Sequence, residues 1–559
     1  MKKIQGIGVS GGIAIGSACL IRQAALSYSK ESSLTQVAEK SRLNKAIADY
    51  TESTKAAAAN LRTRVGDHDA AILEGHLLML NDPCLRGEID DMLAKGATAE
   101  HAAAAVLESY IIVFTASEDD LTRQRAADVR DIKNALLALL QEKSTAALTL
   151  PENAILVTEE LTPSMLAALT DSPPTGILTA KGSITSHAAI LAGTMGIPAV
   201  FSAEGGIGQI TDGTVVILNG SSGEVILSPD ESTLQTHTSR AAAEREVRAA
   251  LASFADKPTL SADGKAFCLF CNIGTPAEAS LVKASGGEGI GLMRSEFLFM
   301  DRTSPPDEEE QYEAYKSAAE AIEGKPLIIR TLDIGGDKAI PSLGIEHEEN
   351  PFLGHRAIRY CLSHEALFKT QLRAILRASK HGDVRIMLPL IISPSEIRAV
   401  KALLEACREE LSLDPIPLGI MIETPAAVLT ADILAREADF FSIGTNDLTQ
   451  YVLTADRGNR AAAALYDPFH PAVLRAIRHV IHAAKSAKIP VAMCGEAAAD
   501  PRMIPLLMAM GLDEFSTSPS KTLACRAEIA KWSLPDATAL LERVMAAERV
   551  EEVRDILQN

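Results

Sequence analysis

The chain has little that would suit a secreted, membrane-spanning or nucleic-acid-binding protein. Its eight cysteines are scattered through 559 residues and set no disulfide framework, which places the chain in a reducing cytoplasm. No uninterrupted apolar run is long enough to span a bilayer, so membrane insertion is not expected. Glycines at 6, 8, 11, 12 and 16 break the mildly apolar stretch that follows Lys2-Lys3, which argues against a signal peptide. Basic residues are in deficit, 54 against 73 acidic, for a net charge of −19. That excludes the basic footprint of a general nucleic-acid binder and suits a soluble protein with a basic partner. Gly6-x-Gly8-x-x-Gly11 matches a dinucleotide loop in letters but has no strand before it, so strand-and-turn glycines are the better reading. Cys268-x-x-Cys271 has no second ligand pair after it and reads as two core cysteines.

Proline and glycine are scarce in one long region. From Gln23 to Leu150 the only proline is Pro83, and alanine, leucine and charged residues dominate. That is the composition of a helical bundle. On either side the texture is β-rich, with short apolar runs at 154–157, 176–179, 215–218 and 225–227 between turns such as Asp212-Gly213 and Ser222-Gly223. The simplest arrangement is an α/β domain made of residues 1–22 and 145–229, with the bundle, 23–144, inserted into it. Residues 230–258 lack internal glycine and proline and are rich in Ala, Arg and Glu, the pattern of a linker helix. From 259 to 559, strand-like runs at 266–271, 289–293, 326–331, 384–389, 416–422, 439–443, 490–494 and 512–515 alternate with helical patterns. That alternation predicts a (β/α)8 barrel.

The ends of those strand candidates carry the chemistry. They deliver Arg294-Ser295-Glu296, Arg330-Thr331 with Asp333 and Lys338 following, Glu423-Thr424, Asn446-Asp447 and Cys494-Gly495-Glu496. In a barrel these ends open on one face. Charged residues that merely mark a strand's exit explain one or two such ends, not the whole set. Glu423 and Asp447 are hard oxygen donors, suited to a magnesium ion that keeps its remaining positions for water and phosphate. Arg294, Arg330, Arg356 and Arg457 suit a small ligand bearing phosphate and carboxylate. Cys494, a neutral thiol facing such a pocket, could give a proton to carbon. Far upstream, Gly182-Ser183-Ile184-Thr185-Ser186-His187 sets a histidine in a hydroxyl-rich loop before the apolar run 188–192. A neutral imidazole there is a plausible nucleophile toward phosphorus.

With these residues in hand, the chain resembles enzyme I of the phosphoenolpyruvate-dependent sugar phosphotransferase system along essentially its whole length. Glu74-Gly75-His76, Arg125-Ala126-Ala127-Asp128-Val129-Arg130-Asp131 and Leu161-Thr162-Pro163-Ser164 carry the likeness in the first half. Asp333-Ile334-Gly335-Gly336-Asp337-Lys338, Glu349-Asn350-Pro351-Phe352-Leu353-Gly354 and Met493-Cys494-Gly495-Glu496 carry it in the second. The resemblance implies a multidomain α/β protein: a swivelling phosphohistidine domain with its helical insert, a linker helix, and a C-terminal TIM-type barrel. It implies that phosphoenolpyruvate binds the barrel with Mg2+ on Glu423 and Asp447. Arg294, Arg330 and Arg457 would hold its anionic groups, with Asn446, Asp447, Arg356 and Lys338 assisting. His187 would attack phosphorus through Nε2 to become phosphohistidine, Cys494 would protonate the enolate, and pyruvate would leave. The helical domain would then dock the phosphocarrier protein HPr, through Leu78, Met79, Leu85 and Arg125, to receive the phosphoryl group. The barrel would also form a homodimer.

Some positions depart from the family pattern. Ser183 stands where a glycine or alanine is expected, Gly193 replaces an arginine, Leu166 stands in place of a threonine that orients the histidine, and Ser295 replaces a threonine. Those near His187 bear on its geometry and motivate an alternative, a regulatory phosphorelay or interaction protein of the same fold with slow transfer. No glycine-rich nucleotide loop precedes His187, which separates the chain from related dikinases.

Overall fold

In a computed structural model the chain forms two compact units, Met1–Arg248 and Ala249–Asn559. The structure describes residues 1–558 except 22–26, 65–66, 117–119, 142–149, 163–164, 166–168, 170–171, 183–188, 190–191, 194, 204–206, 301, 303, 336–342, 344–347, 458 and 460–461.

The first unit is built on an eight-stranded sheet in the order β1-β8-β7-β3-β4-β5-β6-β2. Its strands are β1 (Lys2–Gln5), β2 (Ile7–Ser10), β3 (Ile13–Ile21), β4 (Ala154–Thr158), β5 (Gly176–Thr179), β6 (Ala199–Phe201), β7 (Val215–Asn219) and β8 (Glu224–Leu227). A strand therefore does precede Gly6, contrary to the sequence expectation. Another strand follows it rather than a helix, so no dinucleotide turn can form there. Strands β3 and β4 are parallel neighbours paired from Ser17↔Ala154 to Ile21↔Thr158. All the helices α1 (Gln36–Arg64), α2 (Asp67–Leu80), α3 (Pro83–Ala94), α4 (Ala99–Thr115) and α5 (Asp120–Leu140) fall between them in sequence. Leu43, Leu80, Ile89, Leu107 and Leu136 are fully buried in the helical core, at roughly 1.5–3 kcal/mol of burial each. Asp82 caps α3 by accepting from the Cys84 and Leu85 amides, with Pro83 at the first helical position.

Two motifs from the sequence meet inside this core. His76 Nδ1 lies 3.3 Å from the Tyr50 hydroxyl, and His76 Nε2 lies 3.5 Å from Asp128 Oδ1. Burial, reinforced by Asp131, pushes the Tyr50 phenol far above its ordinary pKa, so Tyr50 stays a neutral partner. Helix α6 (Glu231–Ala252) occupies the predicted linker, with shorter ends than expected.

In the second unit, eight parallel strands close into a barrel. They are β9 (Cys268–Ile273), β10 (Ile290–Arg294), β11 (Leu327–Arg330), β12 (Val384–Leu388), β13 (Leu418–Ile422), β14 (Phe441–Ile443), β15 (Val491–Met493) and β16 (Glu514–Thr517). Period-two alternation sorts their side chains. Leu327 and Ile329 join the large core beneath the surrounding helices. Ile328 joins Leu292, Met387, Met421, Phe440 and Cys494 in a smaller cluster, the packed interior of the barrel. Of the cysteine pair, Cys271 is buried as expected, whereas Cys268, at the start of β9, is exposed. No helix among the described residues is long and apolar enough to cross a membrane.

Candidate active site

The strands deliver their functional side chains where the apolar runs stop. Arg294 and Arg330 are the last residues of β10 and β11; Glu423 and Cys494 directly follow β13 and β15. Asn446 and Asp447 lie one step further than the sequence suggested, in the first turn of the helix Thr445–Leu453 after β14. The positive end of that helix favours a carboxylate there. All six line one cavity of about 410 Å³ at the C-terminal mouth of the barrel, together with Arg356 and Arg457. Glycines allow the approach. A Cβ on Gly444 would sit 2.9 Å from Glu423 Oε2, and one on Gly495 would sit 2.7 Å from the Thr445 amide nitrogen.

A chain of ion pairs runs through the cavity. Arg330 Nη2 donates to Glu296 Oε1 at 2.6 Å, and Arg330 Nη1 lies 3.0 Å from Asp333 Oδ2. Arg356 Nη2 bridges Asp333 Oδ1 at 2.9 Å and Asp447 Oδ2 at 3.3 Å. Arg457 Nη2 is 4.0 Å from Asp447 Oδ1. Burial alone would lower the pKa of Arg330 and Arg356. For Arg330, Glu296 and Asp333 outweigh it; for Arg356, Asp333 and Asp447 do, and both guanidiniums stay charged. The Nε–H of each is buried and has no hydrogen-bond partner among the described residues. Both charged guanidiniums line the cavity and suit an anionic ligand.

Glu423 accepts from the Leu390 amide at 2.6 Å. Its burial, followed by the charges of Asp447 and Asp333, pushes its pKa up to about 8 against the pull of Arg330 and Arg356. Carboxylates crowded in this way fit a hard divalent cation, which would offset both charges. Among the described residues no group of three or more His, Cys, Asp or Glu side chains forms a protein cage. Burial pushes the Cys494 thiol up to about 11, against the neighbouring Ser442 hydroxyl and the Arg330 charge, so it is protonated at neutral pH. Asn272 Nδ2 donates to the Cys494 carbonyl at 2.9 Å and fixes the thiol's backbone.

His187 and Lys338 lie outside the described residues, as do Ser183 and Leu166. Of the expected carrier-facing residues, Leu78 is 77% exposed, Met79 is half-buried and Arg125 is exposed. Leu85 is 4% exposed and packs within the helical core, so it is not part of an open face. Glu296 and Asp333, which hold the arginines, had been given no role from sequence alone. The signal was available: buried arginines need counter-charges, and both residues stand in the strand-end segments already singled out.

Family models match along the chain: "PEP-utilising enzyme, N-terminal" over residues 5–125, "PEP-utilising enzyme, mobile domain" over 150–223 and "PEP-utilising enzyme, PEP-binding domain" over 248–534. The chain is 41% identical over 566 residues to the phosphoenolpyruvate-protein phosphotransferase of Priestia megaterium, covering 100% of this chain and 99% of that one. It is 41% identical over 560 residues to that of Geobacillus stearothermophilus, covering 99% and 97%. It is 40% identical over 561 residues to that of Bacillus subtilis strain 168, covering 99% and 98%. A barrel whose mouth gathers arginines, carboxylates and a thiol, matched end to end by these relatives, belongs to the phosphoenolpyruvate-protein phosphotransferase family, enzyme I of the sugar phosphotransferase system.

Proposed function

We propose that the barrel cavity binds phosphoenolpyruvate with Mg2+, that His187 takes its phosphoryl group, and that the phosphohistidine then serves a histidine on the carrier HPr. The observation that carries this reading is the convergence of Arg294, Arg330, Arg356 and Arg457 with Glu423, Asp447 and Cys494 on one cavity. Glu423 and Asp447 would hold the cation, which supplies charge neutralisation for the phosphate and the enolate oxygen. The arginines bind and orient the phosphate and carboxylate. His187 Nε2 forms a bond to phosphorus as the bond from phosphorus to the enol oxygen breaks, leaving the electron pair on that oxygen. Cys494 gives its proton to the terminal carbon of the enolate, pyruvate forms, and the thiolate regains a proton from solvent. Leu78, Met79 and Arg125 on the helical bundle remain the proposed carrier-facing residues, and the barrel is the proposed dimerisation element.

Incubation with phosphoenolpyruvate, with and without Mg2+, tests the reading. Acid-labile phosphate on His187, matched by pyruvate and dependent on the cation, is expected. An unlabelled but folded protein would overturn it in favour of the regulatory alternative, which the residues at 166, 183 and 193 motivate.

A further inference from the structure

We propose that Arg356 is a latch on Asp447: its guanidinium pairs with a carboxylate oxygen for which a divalent cation would compete. It releases that oxygen when an anionic ligand arrives to take the guanidinium. The inference rests on Asp447 being a cation ligand, as proposed above.

The geometry is specific to Arg356. Its Nη2 is shared between Asp333 at 2.9 Å and Asp447 at 3.3 Å. Its Nη1 donates to the Tyr451 hydroxyl at 3.2 Å, and its Nε–H has no partner among the described residues. The side chain is buried, so water does not screen its charge as it does at the surface. Arg457, the other guanidinium near Asp447, is 41% exposed at 4.0 Å and competes less. Arg294 lines the same cavity and bonds to no carboxylate among the described residues.

The backbone around Arg356 is held in place at some cost. Ala357 adopts φ 52° and ψ −127°, a region that disfavours a residue with a Cβ. Its amide bonds to the Ile334 carbonyl at 3.1 Å. Gly335 sits so close that a Cβ there would lie 2.6 Å from Arg356 Cβ. With the backbone fixed, the side-chain torsions are what can move. The charges make the coupling directional. Arg294, Arg330, Arg356 and Arg457 line the cavity with five carboxyl groups, Glu296, Asp333, Glu423, Asp447 and Glu496. A cation entering alone would displace Arg356 from Asp447 and leave both positive charges close together in a buried site. An anion accepts the freed guanidinium and removes that repulsion.

The test uses the full chain and Mn2+ alone, with free Mn2+ read by electron paramagnetic resonance and no turnover required. Arg356→Gln is expected to bind Mn2+ about tenfold more tightly than Arg294→Gln, a difference of about 1.4 kcal/mol. The Arg294 variant removes the same charge from the same cavity without touching Asp447. Arg356→Met, which keeps the apolar stem, is read by the same criterion if circular dichroism shows the Gln variant to be unfolded. Equal affinities for the Arg356 and Arg294 variants, with binding lost in Asp447→Asn, would overturn the latch alone. Equal Mn2+ binding by wild type and Asp447→Asn would overturn the cation reading and the latch together.

Discussion

The Leu390 amide donates to Glu423 Oε1 at 2.6 Å, and Leu390 does so from a backbone φ of +56°. A buried leucine in the left-handed region is uncommon. Here it turns an N–H from the end of β12 onto a carboxylate at the end of β13. One oxygen of Glu423 is thereby engaged, and Oε2, beside Gly444, is left toward the cavity.

Glu423→Gln keeps an acceptor for that amide and removes the charge. Mn2+ affinity is expected to fall by about tenfold or more, with circular dichroism unchanged. Undiminished affinity would remove Glu423 from the proposed cation site.

His187→Ala is expected to abolish phosphoprotein formation while phosphoenolpyruvate still binds the barrel, as measured by calorimetry. A His187→Ala protein that still acquires an acid-labile phosphoryl group would place the nucleophile elsewhere.

Cys494→Ala removes the proposed acid and, because the thiol is protonated at neutral pH, no charge. Pyruvate formation is expected to slow by roughly 10²–10⁴-fold, while transfer from phosphorylated His187 to the carrier stays near wild type. Equal loss in both half-reactions would make the thiol a packing residue.

Gly495→Ala would drive a methyl group onto the Thr445 Oγ1 and within 2.7 Å of the Thr445 amide nitrogen. Thr445 begins the helix that presents Asp447, so the strain falls on the site. Mn2+ and phosphoenolpyruvate binding are both expected to weaken. Full binding with a wild-type unfolding profile would show that the loop yields without cost.

Glu514, at the start of β16, gives a pH dependence away from the cavity. Its Oε1 is buried with no hydrogen-bond partner among the described residues, 2.7 Å from where a Gly291 Cβ would sit. Burial pushes the carboxyl up to about 8, with Arg385 opposing, against roughly 4.3 in an unfolded chain. Between those values the folded protein holds a proton that the unfolded one has lost. The contribution is therefore full at acid pH and disappears as pH rises through about 8. From pH 6 to pH 9 the barrel's urea midpoint is expected to fall more in wild type than in Glu514→Gln. In unfolding free energy the gap should be about 2–3 kcal/mol. Parallel curves would show the carboxyl to be ionised and accommodated.

Much of the barrel was legible because its signal is local. Most strands are short apolar runs ended by a charged residue or glycine, although β12 runs into Pro389 and β16 into Ser518-Pro519, and all eight predicted runs overlap an observed strand. In the first unit, β6 was missed: Ala199-Val200-Phe201 is three residues long, too short to show a period. A helix stands within the segment read as a linker but stops at Ala252, since the absence of glycine and proline permits a helix without specifying its end. Cys268 was read as buried, yet its position at the first residue of β9 leaves it exposed.

By itself the sequence determined the order of helical and β-rich segments, the barrel, the family, and the residue types available for phosphoryl chemistry. Residue identity and periodicity act along the chain, so they can be read there. Only the tertiary structure decided which charges meet. Arg330 turned toward Glu296 and Asp333, Arg356 was drawn between Asp333 and Asp447, and Leu85 went into the helical core while Leu78 stayed out. Ion pairing and burial depend on distances across strands and helices far apart in sequence, and closing the barrel is what sets those distances.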